Sequence, residues 1–242
     1  MPAENNIDAS LFPPDGLAIV IGSTGAIGKA LSTKLEDSKK FGKVIGLSRS
    51  STPSIDIRRE QEISNCAQFI KAKSTDVRLI INATGFLHGG GYMPEKSFRE
   101  ISPEHMAHAF AINAIGPALV MKHFLPLLPV QGKSVFVSLS AKVGSIGDNE
   151  LGGWYSYRAS KAAMNQLVKT SSIELRRRRR DAICVAIHPG TVESPISSPF
   201  QKFGLTIKSP EEAATNIVDV IEKLTPIDSG SFLDYSGSPL PW

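Results

Sequence analysis

The chain is 242 residues long, 41% hydrophobic and 21% charged, the composition of an ordinary globular protein for which one domain is the simplest count. Its formal net charge of +4 owes much to the consecutive arginines Arg176 to Arg180. No base-stacking aromatics or amphipathic apolar face accompany them, so they read as a solvated helix end, and no nucleic acid or membrane partner is expected.

Met1 to Pro14 holds acids, asparagines and prolines without the basic start and apolar stretch of a signal peptide, and is expected to be a flexible tail before a single domain at 15–242. Leu17 to Ile21 is an unbroken apolar run, far short of the ~18 residues of a membrane span. Such runs sit in a parallel sheet covered on both faces. It leads into a glycine-rich turn at 22–28, a helical stripe of Ala30, Leu31 and Leu35, and a second run from Val44 to Leu47, which together make a βαβ unit.

Glu60 to Lys71 reads as a helix, Leu79 to Asn82 as a strand, Pro103 to Leu128 as a long helix and Val135 to Val137 as a strand. A helix from Tyr155 to Arg178 follows, then a strand from Ile183 to Ile187, a helix from Pro210 to Leu224 and a closing strand near Ser231 to Leu233. This alternation predicts an α/β fold, a Rossmann-like doubly wound parallel sheet of six or seven strands with helices on both faces. Ser54 to Ile57 decides the count. It lies too close behind Leu47 for a parallel crossover of about a dozen residues, so it is a trimmed strand or a loop.

Two cysteines, Cys66 and Cys184, are too few for a disulfide framework and fit a reducing cytoplasm. His105 and His108 have a helical i,i+3 spacing, but no acid or thiol cluster completes a metal site, and none is expected.

The turn Gly22, Ser23, Thr24, Gly25, Ala26, Ile27 and Gly28 falls between a strand and a helix, where missing side chains let backbone amides approach a pyrophosphate at the positive end of the helix. The second strand ends at Leu47, Ser48 and Arg49, where a dinucleotide fold tests the adenine ribose. No acid stands there to accept from a free 2′-hydroxyl. Arg49 beside Ser48 and Ser50 suits a 2′-phosphate, which favours NADP(H) over NAD(H) unless Arg49 is simply a solvated loop residue.

Tyr157 and Lys161 are four residues apart and share one helix face. A phenol that works near neutrality must move from about pH 10 by about 3 units, roughly 4 kcal/mol. One opposite charge at about 4 Å supplies on the order of 4 kcal/mol at an effective dielectric near 20. Tyr155, six residues from Lys161, is turned away on the same helix.

In order, the turn Gly22 to Gly28, the strand end Asn82 to Gly85, the motif Asn113 to Gly116, the pair Tyr157 and Lys161, and Pro189 with Gly190 resemble the short-chain dehydrogenase/reductase family over nearly the whole chain. Gly144 to Asn149, Gly152 to Lys161 and His188 to Thr191 are similar to its C-factor-like and sniffer-like carbonyl reductases. The resemblance implies hydride transfer between NADP(H) and a carbonyl or alcohol, with Tyr157 giving or taking the proton and Lys161 favouring the ionised phenol and bonding the nicotinamide ribose. It places Asn82, Ala83, Thr84 and Gly85 against the cofactor at the end of a fourth strand, Asp56 and Ile57 at the adenine, and Pro189, Gly190 and Val192 around the carboxamide, with Ser194 at a cofactor-binding position where the family often has threonine. Asn113 would help a water connect Lys161 to solvent.

The family's usual Ser-Ser pair is here Ser140-Ala141. Ser140 takes the serine role, or Ser145 does, or the site relies on Tyr157 with less help; alternatively Ser138 and Ser140 cap the strand end. The expected substrate walls are Phe86 to Tyr92, Gly144 to Trp154 and Glu193 to Phe203, with Trp154, Phe200 and Phe203 hinting at an apolar or aromatic carbonyl. The segments 103–128 and 155–178 resemble the helices with which the family builds dimers and tetramers, so a homodimer or homotetramer is expected. A dinucleotide sensor or C-factor-like signalling protein with little catalysis is the alternative.

Overall fold

Every residue of the run Leu17–Ile21 is buried, and it forms the interior strand β1 of a parallel sheet. The structure, a computed structural model, describes residues 11–73, 76–194, 197, 199 and 207–242. The chain continues through β2 (Lys43–Leu47), β3 (Val77–Asn82), β4 (Ser134–Leu139) and β5 (Ala182–His188). After a small parallel pair, β6 (Thr191–Val192) and β7 (Ile207–Lys208), it ends with β8 (Phe232–Asp234). The main sheet has the order β2-β1-β3-β4-β5-β8, every pair parallel.

Alternation along the strands sends side chains to two cores. Leu17, Ile19 and Ile21 face one, with Cys184 and Phe136; Ala18 and Val20 face the other, with Val135, Val137 and Ile183. Helices α1 (Ala26–Ser38) and α6 (Pro210–Lys223) close the second face, where Leu31, Leu35, Ile217 and Ile221 are buried. The first is covered by α2 (Glu60–Lys73), α4 (Gly116–Phe124) and α5 (Tyr155–Arg178), with α3 (Pro103–Phe110) against α5. Phe12 packs on Phe41 with ring centroids 5.1 Å apart, while residues 1–10 of the expected tail lie outside the described residues.

The structure decides one point the sequence left open and refines others. Ser54 to Ile57 is a loop, tied back by the Ile55 amide to the Ser48 carbonyl at 2.9 Å, so the sheet has six strands and Asn82 ends the third. The long helix from Pro103 is continuous but not uniform, because a π-helical turn, Ala111–Ile115, joins α3 to α4 and carries Asn113. Such turns occur often at functional sites. Pro103–Leu127 is long and apolar enough to cross a bilayer by length and composition alone, yet it buries Val120, Met121 and Phe124 in the first core.

The arginine run is also not wholly solvated. Arg179 donates to the Leu128 and Pro126 carbonyls at 2.6 and 2.9 Å, and Arg176 to that of Pro226 at 3.4 Å.

The order reverses at β1, whose neighbours are β2 and β3. The crevice beyond the carboxyl ends of these strands is where open α/β sheets bind ligands.

Candidate active site

The turn between β1 and α1 is one that glycine alone makes easily. Gly22 has a φ of 87°, in the left-handed region. Its amide and that of Ser23 bond the Leu47 carbonyl at 2.8 and 3.2 Å. At Gly28 a Cβ would lie 2.2 Å from the Gly22 oxygen, so α1 rests directly on the strand end. Gly25 is the N-cap of α1 and offers no side-chain cap, leaving the first-turn amides beginning at Ala26 and Ile27 for an anion. Thr24 and Gly25 are exposed. This cradle fits a pyrophosphate.

Beside it, Ser48 is buried with its hydroxyl 3.1 Å from that of Ser50, while Arg49 and Ser50 are exposed. Asp56 is gripped by Arg58, with bonds of 3.0 Å from Nε and 2.6 Å from Nη2, and this partner holds its pKa down at about 2. Ile57 is buried against Gly116, so its side chain belongs to the core.

At the ends of β3 and β4 the remaining candidates converge. Lys161 is buried and its Nζ donates to the Leu139 carbonyl at 2.9 Å. The same atom lies 6.0 Å from the centroid of the Tyr157 ring and 3.7 Å from where a Cβ on Gly85 would stand. Asn113, fully buried, clamps residue 86 by accepting from the Phe86 amide at 2.8 Å and donating to its carbonyl at 2.7 Å. It also donates to the Ser160 hydroxyl at 3.0 Å, which bonds the Tyr157 carbonyl at 2.9 Å. Trp154 meets the Tyr157 ring edge-on at 6.2 Å.

Electrostatics here differ from the expectation. Burial raises the Tyr157 phenol above its ordinary pKa and pushes Lys161 down to about 8. Near neutrality the pair is a protonated phenol beside an ammonium.

The serines are sorted by their partners. Ser140, next to Leu139, donates to Asn165 Oδ1 at 2.7 Å. Ser145 is 2% exposed and bonds the Trp242 carbonyl at 3.3 Å while accepting from the Asp148 amide at 3.0 Å, which commits it to joining its own turn to residue 242. Ser138 bonds Met164 Sδ and accepts from Asn82. Ser160 and Asn165 were not singled out from the sequence. The signal for Asn165 was present, since it stands one further helical step beyond Tyr157 and Lys161.

Asn82 turns inward, accepting from the Thr84 hydroxyl at 2.6 Å, and the Ala83 amide bonds the Ile21 carbonyl at 2.8 Å. Pro189 and Val192 are buried, Gly190 has a φ of 84°, and Ser194 shares reciprocal bonds with Ser197. Phe200 and Phe203, expected in the third wall, lie outside the described residues.

His188 ends β5 opposite Asp234, and burial pushes its pKa down to about 4. The unfolded chain therefore binds a proton between pH 6.5 and 4 that the folded chain refuses. The stability tied to the neutral ring is complete above pH 6.5 and is lost as pH falls through 4, up to about 3 kcal/mol. Thermal melts across this range are expected to fall more steeply for the wild type than for His188→Asn. Parallel curves would count against it.

The family profile described as Enoyl-(Acyl carrier protein) reductase matches residues 26–218. Among relatives, the chain is 36% identical over 137 residues to the C-signal protein of Myxococcus xanthus, covering 57% of this chain and 78% of that one. It is 29% identical over 191 residues to the 1-hydroxy-2-glutathionyl-2-methyl-3-butene dehydrogenase of Rhodococcus sp. (strain AD45), covering 78% and 79%. In fold it is similar to the NADPH-bound carbonyl reductase from chicken fatty liver, with a TM-score of 0.83 at 22% identity over 96% of each chain. The carbonyl reductase Sniffer of D. melanogaster superposes with a TM-score of 0.81 at 21% identity, over 95% of this chain and 100% of that one. The glycine turn, the parallel sheet and the profile match together show that this chain belongs to the short-chain dehydrogenase/reductase family of oxidoreductases.

Proposed function

We propose that the protein transfers a hydride between NADP(H) and a carbonyl or alcohol. The observation that carries this reading is the meeting of Tyr157, Lys161, Asn113 and Gly85 at the strand ends adjoining the glycine turn. The turn and the exposed Arg49 would hold the nucleotide, with Ser48 shaping the loop beside them, and when bound it supplies or accepts the hydride.

Tyr157 gives its proton to the carbonyl oxygen, and the reverse occurs in oxidation. Burial keeps the phenol protonated beforehand, which suits reduction. Lys161 stabilises the phenolate as the proton leaves, and Asn113 orients the loop at Phe86. Ser140 holds the carbonyl oxygen once its hydroxyl proton swings away from Asn165, a contribution that matters most as charge develops there. The C-factor-like and sniffer-like branch is the proposed place within the family, and the NADPH-bound neighbour agrees with the nucleotide choice.

The wall at 144–154 presents Ile146 and Leu151, 78% and 90% exposed, which favours an apolar carbonyl substrate. Ile115 and Ile173, about half exposed on the two long helices, are consistent with a homo-oligomer, and two free buried thiols with the cytoplasm.

The test is a nucleotide titration by tryptophan fluorescence, followed by a panel of aldehydes, ketones and quinones. NADPH is expected to bind more tightly than NADH. Arg49→Ala is expected to weaken NADPH by about 10- to 100-fold while sparing NADH, the scale of a charge-assisted contact to phosphate. Equal losses for both nucleotides would remove Arg49 from the argument. The likeness to C-signal favours one second reading, a signalling protein on this fold, which nucleotide binding without any turnover would promote.

A further inference from the structure

Helix α5 begins without a cap of its own. Its N-cap is Trp154, which makes no side-chain cap bond and has a φ of 52°, in the left-handed region. The missing acceptor comes from Glu95, in the loop that follows Tyr92. The Glu95 carbonyl accepts from the Trp154 amide at 2.5 Å. Its carboxylate accepts from the Ser156 amide at 3.2 and 3.3 Å, and from the Ser156 hydroxyl.

Glu95 is 1% exposed and Ser156 fully buried. A carboxylate so far from water persists only with polar partners. Besides Ser156 it has His105, from α3, whose Nδ1 lies 3.2 Å from Oε1. The His105 ring in turn lies flat on Tyr92, with centroids 4.8 Å apart and planes 7° from parallel. The loop at 86–95, α3 and the first turn of α5 therefore converge on one carboxylate. The next residue along the helix is Tyr157.

We propose that Glu95 is a positioning residue for Tyr157, with His105 orienting its carboxylate. It supplies from outside the helix the negative group that the N-terminus of α5 favours, and so sets where the phenol stands. The inference rests on the reading of Tyr157 as the proton donor. Reacting groups displaced by about 1 Å can lose about 100-fold in rate, which is the scale at stake. Glu95→Gln keeps an acceptor for Ser156 but loses the charge, and His105→Phe keeps an aromatic ring to stack on Tyr92 but loses the bond to Glu95.

The experiment compares wild type, Glu95→Ala, Glu95→Gln and His105→Phe by amide hydrogen exchange over residues 155–158, nucleotide Kd, and kcat and KM for the best carbonyl. All are measured well below each Tm. Glu95→Ala is expected to speed exchange at 155–158 by at least about tenfold and to lower kcat by about 100-fold, with nucleotide Kd unchanged. Glu95→Gln and His105→Phe fall between. Where Glu95→Ala does not fold, Glu95→Gln carries the comparison.

Unchanged exchange at 155–158 would overturn the proposal. So would a kcat that falls only in proportion to the folded fraction. If the wild type turns over no carbonyl, the proton-donor reading fails, and the exchange data still decide whether Glu95 holds this turn.

Discussion

Tyr157→Phe is expected to lower kcat for carbonyl reduction by about 10³-fold, the middle of the range for a lost general acid. NADPH affinity should survive, because the glycine turn and Arg49 are untouched and the ring that Trp154 meets edge-on is kept. Folding should survive for the same reason. The pH profile gives a second readout. Burial holds the phenol above its ordinary pKa and Lys161 at about 8, so raising the pH through 8 removes the ammonium that stabilises the phenolate. Reduction is expected to fade on that limb, and Lys161→Met to flatten it. Steady-state kinetics across pH, with nucleotide binding measured separately, provides the check. Retained turnover in Tyr157→Phe, together with its loss in Tyr155→Phe, would overturn the assignment.

The second large effect is at the turn. A Cβ on Gly28 would stand 2.2 Å from the Gly22 oxygen and 2.9 Å from its carbonyl carbon, both backbone atoms that cannot swing aside. Gly28→Ala must push α1 off the end of β1. A cost of about 3 kcal/mol is expected from such overpacking, or roughly 6 to 12 °C in Tm for a chain of this size, with nucleotide binding lost. Gly25→Ala separates the two consequences. Its Cβ would meet only the Gly22 oxygen, at 3.4 Å, an ordinary contact. It should therefore keep the wild-type Tm and still bind the nucleotide less tightly, because the methyl group stands in the exposed cradle. Equal melting temperatures for Gly28→Ala and the wild type would show that the turn yields more than its geometry implies.

Much of this molecule could be read from residue order alone, and the reasons are local. Runs such as Leu17 to Ile21 and Ala182 to Ile187 are apolar throughout because strands covered on both faces have no wet side. The glycines at 22, 25 and 28 announce a turn because a larger residue is excluded at Gly28 by its own neighbours. Tyr157 and Lys161 could be paired because helical spacing fixes their common face before any tertiary contact forms. What residue order left open depended on groups distant along the chain. Whether Ser54 to Ile57 joins the sheet was decided by its bond back to Ser48, and the π-turn at Asn113 by the packing between α3, α4 and α5.

Ser140 and Ser145 are the same residue type with the same local propensities. They were separated only by their partners, Asn165 for one and the Trp242 carbonyl for the other. The two pKa shifts at the centre follow from burial, which no spacing rule contains. Glu95 is the clearest case of all. It lies in a loop with no motif around it, and its relation to the first turn of α5 exists only once the sheet has brought the two segments together. Local sterics and periodicity thus determined the strands, the turn and the helix face from the sequence by itself, whereas the desolvated contacts between remote segments that tune the site were set by the tertiary fold.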